Sequence, residues 1–179
     1  MPDSNDQTVA AETAALGNVD DDIRDVVAKA SSILQKNVKL YGPMNALDYS
    51  SETTCWNSEG SPQGKTSSWI QIDFAAKTAA VLPTKIGIQF QAGFVAEEVT
   101  VMTLSKSNKY DATAKEEWVT VGDTFEVDDD HEMQFLDLLE DGHEPTITRS
   151  IKLVLDECTD FYGRITIYQL KVFGKEVSI

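Results

Sequence analysis

With 179 residues, 41% of them hydrophobic and 25% charged, the chain has the composition of one globular domain rather than of a disordered polymer. Its 15 basic and 30 acidic residues leave a formal charge of −15, the opposite of the basic footprint that nucleic acid or an anionic membrane surface requires. No apolar run reaches the ~20 residues of a membrane helix, so the expected partners are uncharged ligands or proteins with basic surfaces.

Residues 1–20 read as a disordered acidic tail, without aromatic residues or apolar periodicity. They carry neither a basic n-region nor an apolar h-region, so neither a secretory nor a transit peptide is expected. Cys55 and Cys158 are the two cysteines, and no Asn-x-Ser/Thr sequon is present. The expectation is reduced thiols in the nucleus or cytoplasm, not secretion.

Residues 21–179 read as a single domain. Asp20, Asp21 and Asp22 place N-cap and dipole-favourable charge before Ile23, Val26, Val27 and Ala30, whose spacing predicts a short N-terminal helix. Strands follow. Trp69–Phe74 alternates, with Ile70, Ile72 and Phe74 on one face, and Lys85–Gln91 repeats the device with Ile86, Ile88 and Phe90. Val99–Leu104, Trp118–Val121, Met133–Leu136, Ser150–Leu155 and a closing strand from Arg164 to Gly174 complete the set. The spacing predicts an all-β fold, a two-sheet antiparallel sandwich. Two segments look inserted: Lys106–Glu117, a polar hairpin tip, and Glu126–Glu144, a dense acidic run where mobility is expected.

Chemical motifs are sparse. Gly60-Ser61-Pro62-Gln63-Gly64-Lys65-Thr66 has three residues between its glycines where a phosphate loop needs four, and it precedes a strand, so it reads as a surface loop. His131 and His143 sit among acids; a carboxylate–imidazole metal site and a pair of solvated turns are both consistent with that setting. No nucleophile elbow and no H-E-x-x-H appears, and no enzyme is expected.

Three ordered blocks are more specific: Thr54-Cys55-Trp56-Asn57-Ser58, Gln89-Phe90-Gln91-Ala92-Gly93-Phe94 and Thr159-Asp160-Phe161-Tyr162-Gly163-Arg164. With Asn45-Ala46-Leu47-Asp48, Trp69–Phe74 and the closing strand, residues 30–175 resemble the discoidin-like (coagulation factor V/VIII C-type, galactose-binding-like) modules. Within them the blocks resemble the nuclear receptor-associated family that partners the testicular orphan nuclear receptor. The resemblance implies a jelly-roll sandwich of about eight strands without catalytic activity. It also implies a nuclear protein that represses the receptor's transactivation by hindering its binding to DNA.

The same resemblance raises the question of a structural calcium, which many such domains hold between the Asn-Ala-Leu-Asp loop and an acid of the closing strand. Asn45, Asp48, Ser50 and Thr54 match the loop side, but Lys171 stands where the strand's acid is usual. By strict alternation Lys171 is in phase with Ile165, Ile167 and Phe173, so it points toward the core. Three readings follow: Lys171 replaces the metal and pairs with Asp48, Lys171 snorkels to water, or calcium is retained. No cofactor is expected.

At the turn, Arg164 suits either a ligand carboxylate or an intramolecular pair with Asp160. Phe161 and Tyr162 serve partner contact or roof the core, Gly93 lets the chain exit toward Phe94, and Trp56 reads as core. The expected binding residues are therefore Phe94, Asp160, Phe161, Tyr162 and Arg164, presented to a protein partner such as a nuclear receptor or another protein with a basic surface. Two other functions suit the same fold: a carbohydrate- or small-ligand-binding module, and a structural subunit of a larger cytoskeletal or ciliary assembly.

Overall fold

The computed structural model describes residues 15–16, 26–60, 67–74, 79–106, 113, 115–139 and 146–178. Their strands, in chain order, are β1 (Ala15–Leu16), β2 (Val26–Ala30), β3 (Trp56–Asn57), β4 (Ser68–Phe74), β5 (Ala79–Phe90), β6 (Ala96–Lys106), β7 (Glu116–Thr120), β8 (Phe125–Glu126), β9 (Met133–Asp137), β10 (Ser150–Cys158) and β11 (Thr166–Ser178). Three of these are two-residue pieces, which leaves the eight longer strands of a jelly roll. One sheet runs β1-β11-β5-β9 with β3 added on β11; the other runs β2-β4-β10-β6-β7 with β8 added on β6. Every pairing between these strands is antiparallel.

The core lies between the sheets, where alternate residues face inward. Ile70 and Ile72 from β4, Ile86, Ile88 and Phe90 from β5, Val99 and Val101 from β6, and Ile151, Leu153 and Leu155 from β10 are all buried. Trp56 is fully buried, and its indole N–H donates to the Ser32 carbonyl at 3.0 Å, satisfying the one polar group it brings inside. Asp73 ties three strands of one sheet by accepting from Lys29 Nζ at 2.6 Å, from Gln71 on its own strand and from Ser150 Oγ at 2.8 Å.

The expected N-terminal helix is a strand. Val26 and Ala28 are buried while Val27 and Lys29 are exposed, a period of two, and all five residues pair with β4. Adjacent β-branched residues at an open sheet edge outweigh a helical spacing only four contacts long. Ile23 and the three aspartates lie outside the described residues. Among the described residues one α-helix forms, α1 (Val38–Tyr41), between 3-10 turns at Leu34–Lys36 and Pro43–Leu47; it is capped by Asn37, whose Oδ1 accepts from Leu40 N at 3.2 Å. Within the segment read as a tail, Ala15–Leu16 pair with Phe173 and Val172 of β11; the rest lies outside the described residues.

The closing strand departs from strict alternation. A register shift against β5 between Ile167 and Gln169 inserts one residue, so the inward series runs Ile165, Ile167, then Leu170 and Val172. Lys171 and Phe173 consequently face away from the core. A second shift lets β5 carry Pro83 opposite Gly174, where any Cβ would meet the Leu82 carbonyl oxygen at 2.2 Å.

A pinned aromatic turn and an acidic groove at one end of the sandwich

Three connections meet at one end of the sandwich: β5 to β6, β8 to β9, and β10 to β11. The first leaves β5 through a turn closed by Phe94 N–H to Gln91 O at 2.9 Å, with Gly93 at φ +82°. Its Val95 N–H donates to Thr159 Oγ1 at 3.1 Å, and Thr159 N–H returns a bond to Val95 O at 2.9 Å. The β8–β9 connection joins through Asp129, whose Oδ1 accepts from Gly93 N–H at 2.6 Å. These bonds fix the three loops to one another.

Asp160 organises the turn before β11. Its Oδ2 accepts from Tyr162 N–H at 3.2 Å, Arg164 N–H at 3.1 Å and Arg164 Nε at 3.0 Å, and its Oδ1 accepts from Arg164 NH2 at 3.4 Å. Partial burial acts to raise the Asp160 carboxyl, but the hydrogen bonds and charge of Arg164 outweigh it and hold the pKa below the ordinary carboxylate value. The same hydrogen bonds raise the Arg164 guanidinium. Arg164 also lies 5.1 Å from the centroid of Phe94 and 5.7 Å from that of Tyr162. Gly163 takes φ +72°, and the chain beside Gly60 comes so near that a Cβ there would meet Tyr162 O at 2.3 Å.

The result is a stiff platform with two aromatic rings on top. Phe161 is 88% exposed and Tyr162 63% exposed, and the rings meet edge to face at 5.2 Å. They do not roof the core. Of the two readings of Arg164, the intramolecular pair with Asp160 is the one formed, and it orients the aromatic pair. All five expected binding residues, Phe94, Asp160, Phe161, Tyr162 and Arg164, therefore gather in one cluster.

Beside the turn lies a groove of ≈ 620 Å³ lined by Glu97, Glu98, Glu126, Val127, Asp128 and Glu157. Register explains the concentration of charge. Glu98 pairs across the ladder with Asp156 on one side and Glu126 on the other, which places three acids in a row over β10, β6 and β8. Glu157 adopts φ +51°, a left-handed conformation uncommon for a residue with a side chain. The acidic run from Glu126 is visible in the sequence but the groove is not, because Glu97, Glu98 and Glu157 come to it only through strand pairing.

At the Asn45–Thr54 loop the Asp48–Lys171 pair is not formed. With Lys171 turned outward by the shift in β11, its Nζ lies 5.2 Å from the Tyr49 ring centroid. Tyr49 donates its hydroxyl to Leu170 O at 2.8 Å, and burial pushes its pKa up. Asp48 Oδ1 accepts from Ser50 N at 3.2 Å and Ser50 Oγ at 2.6 Å, Thr54 Oγ1 donates to Asn45 O at 3.3 Å, and the Asn45 amide donates to Lys39 O at 3.4 Å. Calcium takes six to eight oxygens, usually with several carboxylates. The set Asn45, Asp48, Ser50 and Thr54 holds one carboxylate, and its oxygens bond within the loop, so this donor set does not fit that ion.

His131 is exposed, with Asp130 at 3.4 Å and Glu132 at 3.5 Å, a solvated turn; His143 lies outside the described residues. Among the described residues no three His, Cys, Asp or Glu side chains come together as metal ligands. Cys55 and Cys158 are free thiols, both raised in pKa by burial, and Cys158 Sγ lies 3.0 Å from Arg164 O.

No protein-family model matches the chain. It is 32% identical over 152 residues to the nuclear receptor 2C2-associated protein of Xenopus laevis, covering 84% of this chain and 95% of that one. The Mus musculus protein of that name is 31% identical over 155 residues, covering 86% and 94%. Among solved structures, the F5/8 type C domain of a Bacteroides fragilis protein superposes with TM-score 0.66 at 14% identity, covering 93% of this chain and 99% of that one. A family 32 carbohydrate-binding module from C. perfringens, in complex with galactose, superposes with TM-score 0.62 at 15% identity, covering 90% and 98%. These two likenesses concern the fold.

Proposed function

Since the chain belongs to the nuclear receptor 2C2-associated protein family, we propose that it is a non-enzymatic protein-interaction module that binds a nuclear receptor through the Asp160–Arg164 turn. The observation that carries this reading is the exposure of Phe161 and Tyr162 on a turn held rigid by Asp160. Two exposed aromatic rings leave apolar area in water, and burying them on a partner recovers roughly 25 cal/mol per Å². Rigidity adds to this, because little conformational entropy is lost when a pinned turn docks. Aromatic and arginine side chains are also the residues that dominate protein interfaces.

In this reading the module modulates transcription in the nucleus, and cytoplasmic residence is compatible with the same contact. It represses transactivation by covering a basic DNA-binding surface, which the formal charge of −15 favours. The test is capture of nuclear receptor 2C2 by the full chain, with Phe161→Ala and Tyr162→Ala, followed by competition with receptor-bound DNA. Loss of capture with the fold intact is expected, as is release of DNA by the unmodified chain. Undiminished capture would remove the turn from the interface. A glycan site would instead require a concave polar pocket beneath a stacking aromatic; the rings here stand proud of the surface, and the neighbouring concavity is acidic.

A further inference from the structure

The aromatic pair and the acidic groove share one end of the sandwich, and we infer that they form one composite surface for a basic protein segment, arginine- or lysine-rich with apolar residues interspersed. The inference rests on the reading that the Asp160–Arg164 turn is the protein-contact site, and it adds the groove and the chemistry of the occupant. Continuity comes from the backbone. Glu157 lies four residues before Phe161, Thr159 is bonded to Val95 just ahead of Glu97, and Gly93 is bonded to Asp129 just after Asp128.

Charge complementarity identifies the occupant. Five carboxylates line the groove, and among the described residues none of them forms a salt bridge. Glu98 faces acids on both neighbouring strands, an arrangement that destabilises a sheet unless cations come to it. Arg164 lies 5.7 Å from the Tyr162 ring centroid, but Asp160 already holds it. Among the described residues, then, no cation of this chain is paired with the groove, and the occupant supplies them. Apolar side chains of the same segment cover Phe161 and Tyr162, whose ring faces also accept a guanidinium. A second copy of this chain would bring its own net negative charge and is repelled.

Anisotropy titration of a dye-labelled peptide of about a dozen residues alternating Arg and Leu tests the surface on the full chain. Phe161→Ala with Tyr162→Ala, and separately Glu98→Lys with Glu126→Lys, should each weaken binding about tenfold or more. Glu116→Lys with Glu117→Lys, at the far end of the β6–β7 ladder, changes net charge equally and should have far less effect. Circular dichroism confirms that each variant is folded. An equal loss from the Glu116/Glu117 variant would reduce the effect to net charge and overturn the inference. If the aromatic variant alone fails, the turn remains the contact site but the groove is excluded. If neither variant fails, both the groove and the turn are excluded.

Discussion

Asp160 is the residue on which the candidate site depends, because its carboxylate accepts four hydrogen bonds that set the path from Tyr162 to Arg164. Asp160→Asn keeps the shape but removes the charge, leaving Arg164 without its ionic partner. The expected cost is about 1–2 kcal/mol, read as a lower midpoint in urea denaturation. The pH dependence has a defined sign. The folded pKa lies below the unfolded value, so the stabilisation is complete above the unfolded carboxylate pKa of about 4 and disappears as pH falls through the folded one. The gap between the native chain and Asp160→Asn should stay constant from neutral pH to about 4 and close below it; a gap that closes near neutrality would assign it to another group. Lys171 teaches the complementary lesson. Strict alternation placed it inward, and a single inserted residue reversed it, because side-chain direction in a strand depends on every residue between the reference and the target. No local signal at Tyr168 announces that insertion.

β4 and β10 were legible because their apolar residues alternate, most cleanly in β4, where the seven residues are buried and half-buried in turn. The two-residue strands were not, since β3 and β8 owe their existence to the neighbours they meet. β2 shows the same dependence: Val26–Ala30 is too short for its period to decide between helix and strand, and the open edge of β4 decides it. The acidic row was illegible for a related reason, since Asp156, Glu98 and Glu126 are distant in sequence and meet only through register. That row yields a prediction at its own scale. Opposed like charges cost a few tenths of a kcal/mol per pair, so Glu98→Gln, which relieves two such pairs, should stabilise the free protein by about 0.5 kcal/mol. It should at the same time weaken capture of a basic partner. Thermal denaturation and binding measured on the same sample separate the two effects, and a destabilised variant would show that Glu98 has a stabilising role that outweighs the repulsion.

For the whole molecule, the formal charge of −15 acts on folding and on association in opposite directions. Within one chain it is self-repulsion, strongest at low ionic strength where the Debye length is ~30 Å, comparable to the molecule itself, and weak near 1 M salt where it is ~3 Å. Adding sodium chloride to the free protein should therefore raise its melting temperature by a few degrees before any specific ion effect enters. Between this chain and a basic partner the same field is attractive, so the same salt should slow association, by about tenfold or more from ~10 mM to ~0.5 M. Dissociation should change less, because the aromatic contact of Phe161 and Tyr162 is not ionic. Stopped-flow association and calorimetric melting over one salt series test the pair of slopes together. A partner whose association rate is indifferent to salt is not recognised through the acidic surface, whatever its affinity. A melting temperature that falls with salt would mean that the acids are stabilised by cations in the folded chain, and the groove would then be filled before any partner arrived.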